Sequence, residues 1–485
     1  MESMINKLAV NKVVQIIAAI VIGVFIAVAV NRISSGVLTI DKTLIAVGAL
    51  LVITAMSAFL IKIKRLQLEY IFLYLFVATS FLNAGMFSIE IGPFGLFPYR
   101  VFFVLSFAVF CWKMVKGHIR IYNSRVKPIL YFFYFWLCYA ALSLIWAASI
   151  MEGIKYLVLL FIGIVLITLV NVYFKGRLQY LNLFYIWTGM TVVLILIGLW
   201  NHLTKQHLAV SAINALPERV QGIPTAVFVN QNDYAAYLAI SIFFFVAFYK
   251  YSTHHVIKLA NLGFIFLTLY LIYLTESRAS MLGLGIGAFI YIFLLSKPWV
   301  KKIFLIAGSV IASIGIIMFG DRLMTKVSET IGGPINPSQM GSNDIRVNLT
   351  RNAMDFISNS YGLGVGAGNA QFYLENYARY FTRGIYKMHN WWLEIFSNFG
   401  LFIFVGYVMV FAILIVNFYK FLKKSTDKTE RMITEALLFS LITFIPASIS
   451  PSSISNLFFH WSLLAISIGF LNYIRSKRSY DARVY

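Results

Sequence analysis

The sequence predicts an all-α protein that crosses a membrane many times. Of its 485 residues, 60% are hydrophobic and only 12% are charged, and the mean hydropathy is +0.82. A water-soluble chain of this length does not need so much apolar surface. Apolar runs of roughly 18–25 residues, each long enough to cross about 30 Å of hydrocarbon as a helix, recur from end to end. The prediction is therefore a single polytopic membrane domain over residues 1–485.

About 14 transmembrane helices are expected from these runs. They are predicted at residues 13–31, 43–61, 68–86, 101–115, 129–148, 156–174, 180–200, 233–251, 259–275, 279–296, 303–320, 391–418, 433–449 and 456–474. Most connections between them are short. Two are long enough to do more than join helices: residues 201–232, and residues 321–390, which form one large loop.

The distribution of basic residues predicts the orientation of the chain. With both termini in the cytoplasm, 26 of the 40 Lys and Arg residues lie on the cytoplasmic side and 14 lie outside. Seven of those 14 lie in the large loop, and long loops count little in the positive-inside rule. The net charge of +22 then describes an inner surface that faces anionic membrane lipid. Nucleic-acid binding is not expected, because the charge is spread over eight short loops.

The large external loop is predicted to form a small helical cap. A first helix is expected over 344–358, capped by Asn343 or Asp344, and a second over 369–383. The apolar positions of the first recur at helical spacing: Ile345, Leu349, Ala353 and Phe356. The glycine-rich run at 361–369 has two interpretations. It is either a phosphate-binding loop or a turn that lets the backbone pass close to a partner, and the sequence favours neither.

The most informative residue is His389, which stands at the start of the twelfth apolar run and at the end of the large loop. Asn390 and Glu394 follow it, and Gly400 comes six residues after Glu394. An imidazole has a pKa near neutrality and can take a proton from a sugar hydroxyl as a general base. The alternative is that His389 caps its helix or binds a lipid headgroup. Glu394 is expected to orient a neighbouring side chain or to pair with an arginine.

Four arginines lie on the predicted outer side at informative positions. They are Arg100, Arg219, Arg278 and Arg346. Each alone could be an interfacial anchor, but a guanidinium fork also suits oxyanions. The fourth, eighth, tenth and twelfth runs all begin outside, so their helix N-termini add partial positive charge there. If these helices cluster, the pocket between them suits a lipid-linked diphosphate, with His389 as the base.

Several motifs occur in an order that resembles a known family. They are Arg219 with Gly222 and Asn230-Gln231-Asn232; Thr275-x-Ser277-Arg278; Arg346 followed by Gly364-Val365-Gly366; and His389-Asn390-x-x-Leu393-Glu394 followed by Gly400-Leu401. Together they resemble the O-antigen ligase and polymerase superfamily of bacterial envelope glycosyltransferases. The resemblance implies an undecaprenyl-diphosphate-linked glycan donor, a glycan acceptor, and neither metal nor cofactor. It implies that Arg219 and Arg278 bind diphosphate, with Arg100 and Arg346 as further candidates, and that His389 is the catalytic base.

The expected function is polymerisation or transfer of a lipid-linked polysaccharide at the outer face of a bacterial cytoplasmic membrane. A composition rich in Lys, Ile, Tyr and Asn suggests a low-GC, Gram-positive source, for which the teichuronic acid polymerase group is the nearest match. Partner proteins of a polysaccharide assembly pathway are expected. Two alternatives stay open: a ligase that transfers finished glycan to another acceptor, and a flippase for the same lipid-linked glycan.

Overall fold

The computed structural model describes residues 67–82, 89–91, 94–119, 124–306, 308–310, 313, 341–451, 453 and 457–484. Within these ranges the chain is almost wholly helical, with one antiparallel pair of short strands between the first two helices. The elements are α1 (Leu68–Thr79), β1 (Ile89–Ile91), β2 (Phe94–Leu96), α2 (Pro98–Val115), α3 (Lys127–Leu142), α4 (Ile150–Tyr173), α5 (Arg177–Thr204), α6 (Gln231–Tyr251), α7 (His255–Leu274), α8 (Arg278–Leu295), α9 (Ser342–Asn359), α10 (Asn369–Asn376), α11 (Trp391–Lys424), α12 (Lys428–Ala447) and α13 (Phe458–Val484).

The described part of the chain contains eight helices that are long and apolar enough to cross a membrane. They are α2 to α8 and α11. The first two predicted spans and most of the eleventh lie outside the described residues, so the predicted total of 14 stays a prediction. The third predicted span, 68–86, is wrong in length, because its helix α1 has only 12 residues. Twelve residues rise about 18 Å as a helix, which is less than the hydrocarbon thickness.

Helix α12 is buried along most of its length and packs against α6 and α8. These contacts show which way α8 runs relative to α12. The Ser440 hydroxyl donates to the Ile240 carbonyl of α6 at 2.6 Å. Gly283 of α8 lies so close to α12 that a Cβ there would stand 2.9 Å from the Ala447 nitrogen. Gly287, one turn further along α8, meets Thr443, one turn earlier in α12. Helices α8 and α12 are therefore antiparallel, and α8 begins at the end of the bundle where α12 stops.

The opposite end of the bundle is held by one buried carboxylate. Glu435 of α12 is 1% exposed and accepts hydrogen bonds from Lys250 at 2.8 Å, Tyr251 at 2.9 Å and Tyr291 at 2.6 Å. A buried carboxylate is stable only when its oxygens are paired or hydrogen-bonded. These bonds tie α6, α8 and α12 together and hold their other ends in register.

Helix α11 reverses direction at Gly400, where φ is +74° and ψ is −169°. The rings of Phe396 and Phe404 lie 5.2 Å apart, and those of Trp391 and Tyr407 lie 6.0 Å apart. Sixteen residues of straight helix would separate that last pair by about 24 Å. The segment is thus a hairpin, with a short arm before Gly400 and a long arm after it; we call it the Gly400 hairpin.

The Gly400 hairpin corrects the expectation that the twelfth run enters the membrane directly at His389. Its long arm, 401–424, rises about 36 Å and can span the hydrocarbon alone. The short arm runs the opposite way, so its N-terminus points back along the long arm. Trp391 lies beside Tyr407, six residues into the long arm. His389 consequently lies about 9 Å from the hairpin turn, measured along the long arm.

The described part of the large loop, 341–390, forms a cap with its own small core. Helix α9 buries Ile345, Leu349, Ala353 and Phe356, as its periodicity predicted. The expected cap is wrong in detail: Gly341 is the N-cap, and its N–H donates to the Asp344 carboxylate at 2.8 Å. The second helix is shorter than predicted and ends at Asn376. The first part of the loop, 321–340, lies outside the described residues.

Candidate active site

A serine-rich turn after α12 lies at the centre of the candidate site. We call it the serine turn; its described residues are Ser448–Pro451 and Ser453. The Ser448 carbonyl accepts the Trp391 backbone N–H at 3.0 Å. The Ser448 hydroxyl accepts the indole N–H of Trp392 at 2.9 Å. These bonds hold the start of the Gly400 hairpin against the serine turn, and His389 comes just before that start.

His389 contacts the serine turn through its ring. Its Nδ1 lies 3.4 Å from the Ser450 carbonyl oxygen. A carbonyl only accepts, so this contact favours the tautomer with the proton on Nδ1 and leaves Nε2 as an unprotonated acceptor. The residue has a φ of +49°, a left-handed conformation that is uncommon for a side chain of this size. Ring orientation and free Nε2 are what a general base needs.

Arg346 reaches the same serine from the cap. Its Nη2 donates to the Ser450 hydroxyl at 3.3 Å, so one residue of the serine turn receives both the imidazole and a guanidinium. Burial lowers the pKa of the His389 imidazole. The Ser450 carbonyl raises that pKa, and the positive charges of Arg346 and Lys387 lower it further. The net shift is downward, which favours the neutral, basic form of the ring.

Asn390 and Glu394 have separate tasks in the hairpin. The Asn390 side chain accepts hydrogen bonds from the N–H groups of Trp392 at 3.0 Å and Leu393 at 3.4 Å, so it caps the short arm. The buried Glu394 carboxylate accepts from Ser453 at 2.9 Å and from Tyr156 at 3.3 Å. Glu394 therefore links the serine turn to α4 through hydrogen bonds.

Arg278 and Arg219 are exposed at the same end of the bundle as the serine turn. Arg278 begins α8, five residues before Gly283, and thus stands about 7.5 Å beyond the level of Ala447. Arg219 lies in a short 3₁₀ turn of the loop between α5 and α6. Two histidines fasten that loop: a ring nitrogen of His207 lies 2.7 Å from the Gln221 carbonyl, and one of His202 lies 2.8 Å from the Gly222 carbonyl.

Arg100 makes contacts of a different kind. Its Nη1 donates to the Gly95 carbonyl at 2.7 Å, and its guanidinium lies 4.8 Å from the centre of the Phe97 ring. Both partners belong to the segment that leads into α2. These contacts favour the anchoring interpretation of Arg100 over anion binding.

The sequence of this chain is similar to those of known proteins. Residues 263–408 match the family described as O-antigen ligase. The teichuronic acid biosynthesis protein TuaE of Bacillus subtilis (strain 168) is 39% identical over 448 residues, which is 91% of this chain and 91% of that protein. This chain belongs to the O-antigen ligase family. Membership confirms the resemblance and the expected class, a membrane protein of polysaccharide biosynthesis.

The segment that matches the O-antigen ligase family contains Arg278, Arg346 and His389 and ends eight residues after Gly400. It also contains the glycine-rich run, which pairs with the hairpin through backbone atoms. Because Gly400 breaks the helix, the carbonyls of Ser397 and Asn398 are released and accept the N–H groups of Val365 and Gly366 at 2.9 and 3.0 Å. This favours the close-approach interpretation of the run over phosphate binding.

The serine turn was missed by the sequence analysis and lies outside the matched segment of this O-antigen ligase family member. A signal was present, because Ser448-Ile449-Ser450-Pro451-Ser452-Ser453 interrupts two apolar runs. Its contact with His389 spans 61 residues of chain, however, and no local pattern reports it. Within the described ranges, no three His, Cys, Asp or Glu side chains are grouped so that they could hold a metal ion.

Proposed function

We propose that this O-antigen ligase family member transfers a glycan from undecaprenyl diphosphate to a sugar hydroxyl, and that repeated transfer builds a polymer. The reaction would take place at the outer face of the bacterial cytoplasmic membrane. The product would be a cell-surface polysaccharide of the teichuronic acid type, by analogy with the relative. The observation that carries the proposal is the shared contact of His389 and Arg346 with Ser450.

In the proposed step, the acceptor hydroxyl attacks the anomeric carbon of the donor. Its proton passes to Nε2 of His389 as the new carbon–oxygen bond forms. The bond from the anomeric carbon to the diphosphate breaks, and undecaprenyl diphosphate leaves with the electron pair. Guanidinium groups of Arg346, Arg278 and Arg219 would neutralise the growing charge on that leaving group. Charge neutralisation by arginine lets the proposed step proceed without a metal.

Purified protein in vesicles tests the proposal directly. The vesicles receive the lipid-linked repeat unit as both donor and acceptor, and the products are separated by size. A ladder of multiples with release of lipid diphosphate is expected of a polymerase. Product only when a second, different acceptor is added would assign a ligase instead. Movement of the repeat unit across the bilayer without a new glycosidic bond would assign a flippase and refute the proposed chemistry.

The pH dependence of transfer follows from the lowered pKa of His389. The base form of the ring is required, so the midpoint of the acid limb of the rate should lie below about 6.5, the ordinary value for histidine. Arg346→Gln removes a positive charge that lowers this pKa, so the acid limb of kcat should move to higher pH. Lys424→Gln, at the opposite end of the bundle, should leave the limb in place. An acid limb that is unmoved by Arg346→Gln would contradict the assignment of the limb to His389.

A further inference from the structure

The segment between α10 and His389 carries exposed aromatic rings on the surface of the cap. We call residues 377–387 the cap strip. Tyr377 is 58% exposed, Phe381 56% and Tyr386 36%. Three exposed rings within eleven residues give this segment an apolar surface of the kind that interaction sites use. An aromatic face next to a site for sugar chemistry suits the flat apolar faces of sugar rings.

Buried side chains of α9 hold the backbone of the cap strip. Asn352 is fully buried; its amide nitrogen donates to the Tyr380 carbonyl at 2.8 Å, and its amide oxygen accepts the Tyr380 N–H at 2.9 Å. Asn348, 5% exposed, donates to the Phe381 carbonyl at 2.9 Å. Two buried amide side chains thus hydrogen-bond to the same stretch of backbone. The rings of the cap strip are presented by a fixed backbone, which lowers the ordering cost of binding a ligand.

The cap strip is also positively charged. Residues 377–387 contain Arg379, Arg383 and Lys387 and no acidic residue. Arg379 lies 4.0 Å from the Asp355 carboxylate of α9, a distance at the limit of an ion pair that an anionic ligand can replace. The guanidinium groups of Arg351 and Arg379 lie 5.5 and 5.8 Å from the centre of the Tyr380 ring. Planar cations stacked beside a ring combine an apolar surface with forks that suit carboxylate or phosphate oxygens. The charge of the cap strip is complementary to an anionic chain.

The cap strip leads to the candidate base. Lys387 is two residues before His389, and its charge acts on the imidazole. Arg346 touches the serine turn, and Asn352, which holds Tyr380, lies six residues or about 9 Å further along α9. The serine turn and the cap strip are therefore joined by one rigid helix.

We propose that the cap strip binds an anionic glycan strand and guides it to His389. The inference rests on the proposed function, whose teichuronic acid type product is acidic, and adds where the strand is held: the rings and arginines of the cap strip bind several of its sugars away from the reacting bond. Anionic membrane lipid is negatively charged too, so charge alone does not distinguish it from a glycan strand. A fixed strip that ends at the base is what a polymer-guiding surface requires, whereas a membrane contact requires neither the buried amides nor the link to His389.

The test is binding of two oligosaccharides to the full-length protein in detergent. Hexagalacturonate carries six carboxylates, and maltohexaose is a neutral chain of the same length. The wild type should bind the acidic probe more tightly, and the difference should shrink at high salt. Arg379→Gln with Arg383→Gln should weaken the acidic probe about fivefold to tenfold. Lys297→Gln with Lys424→Gln makes the same charge change at the opposite end and should have no effect.

A second pair of variants tests the rings. Tyr377→Ala with Phe381→Ala should weaken both probes, because stacking does not depend on charge. Equal binding of the two probes by the wild type, or acidic binding that survives the arginine changes, would overturn the proposal. If the arginine and ring variants lost binding to phosphatidylglycerol vesicles but kept binding to both oligosaccharides, the cap strip would be a lipid-binding surface instead. His389→Ala should bind hexagalacturonate as the wild type does, because the strip does not need the imidazole. If this variant still polymerised, the proposed chemistry would be refuted, but the proposal that the cap strip binds glycan would stand.

Discussion

Replacing His389 with alanine should slow polymer formation by about 10²–10⁴-fold, which is the usual contribution of a general base. The Nδ1 contact with the Ser450 carbonyl leaves Nε2 to receive the acceptor proton, and alanine offers no group in its place. The measurement is the rate at which lipid-linked repeat units become polymer in vesicles. Lipid-linked repeat units should still accumulate on the outer face in cells that carry the variant.

His389→Asn separates the chemical role of the residue from its structural one. Asparagine tolerates the left-handed backbone of this position better than most residues do, and its amide can still donate to the serine turn. It cannot accept a proton at neutral pH, so the variant should fold and remain inactive. His255→Ala, on the exposed start of α7, is the matched control and should be fully active. Polymer of normal length and yield from His389→Ala would refute the base assignment.

The apolar runs and the cap show how much of the fold local pattern could predict. The face of α9 follows from a 3.6-residue period, and the structure buries those four positions as expected. The second cap helix was predicted too long because helical propensity continues past Asn376. Beyond that residue the backbone of Tyr380 bonds instead to the Asn352 side chain. A tertiary partner outweighs a weak local preference there.

The sequence offers candidate site residues but not their geometry. Motif order makes His389 the candidate base and Arg346 a further candidate for diphosphate binding. Their meeting at Ser450 depends on a turn 61 residues after His389 in the chain, and sequence spacing carries no information about that distance. Arg100 was grouped with the other arginines by its place at a helix start, yet its guanidinium is engaged by Gly95 and Phe97. Position at a helix end does not fix where a long side chain points.

The Gly400 hairpin escaped sequence analysis for a related reason. The apolar run continues without a proline on both sides of Gly400, and a lone glycine inside a helical pattern is usually tolerated. The reversal is stabilised by partners from the glycine-rich run, since the Leu401 N–H, freed from its helical acceptor, donates to the Gly362 carbonyl at 2.9 Å. Two glycine segments that look unrelated in the sequence form one structural unit.

Gly400→Ala should be among the most damaging single substitutions in the described part of the chain. The backbone there has φ of +74° and ψ of −169°, a region open essentially to glycine alone and costing about 1–3 kcal/mol for other residues. A Cβ would also stand 2.1 Å from the Gly362 carbonyl oxygen and 2.5 Å from the Leu363 carbonyl carbon. The hairpin and the glycine-rich run must separate to relieve that overlap, which withdraws His389 from the serine turn.

Thermal unfolding in detergent and polymer formation in vesicles measure the two consequences of Gly400→Ala. We expect a lower unfolding temperature and loss of activity together, because the same turn supports the fold and positions the base. Gly189→Ala is the matched control: that glycine lies inside α5 with no atom within 4 Å of a built Cβ. Alanine there should leave activity unchanged and stabilise the helix by about 0.5–1 kcal/mol. Wild-type stability and activity in Gly400→Ala would show that α11 does not reverse at this residue, and the placement of His389 beside the long arm would have to be abandoned.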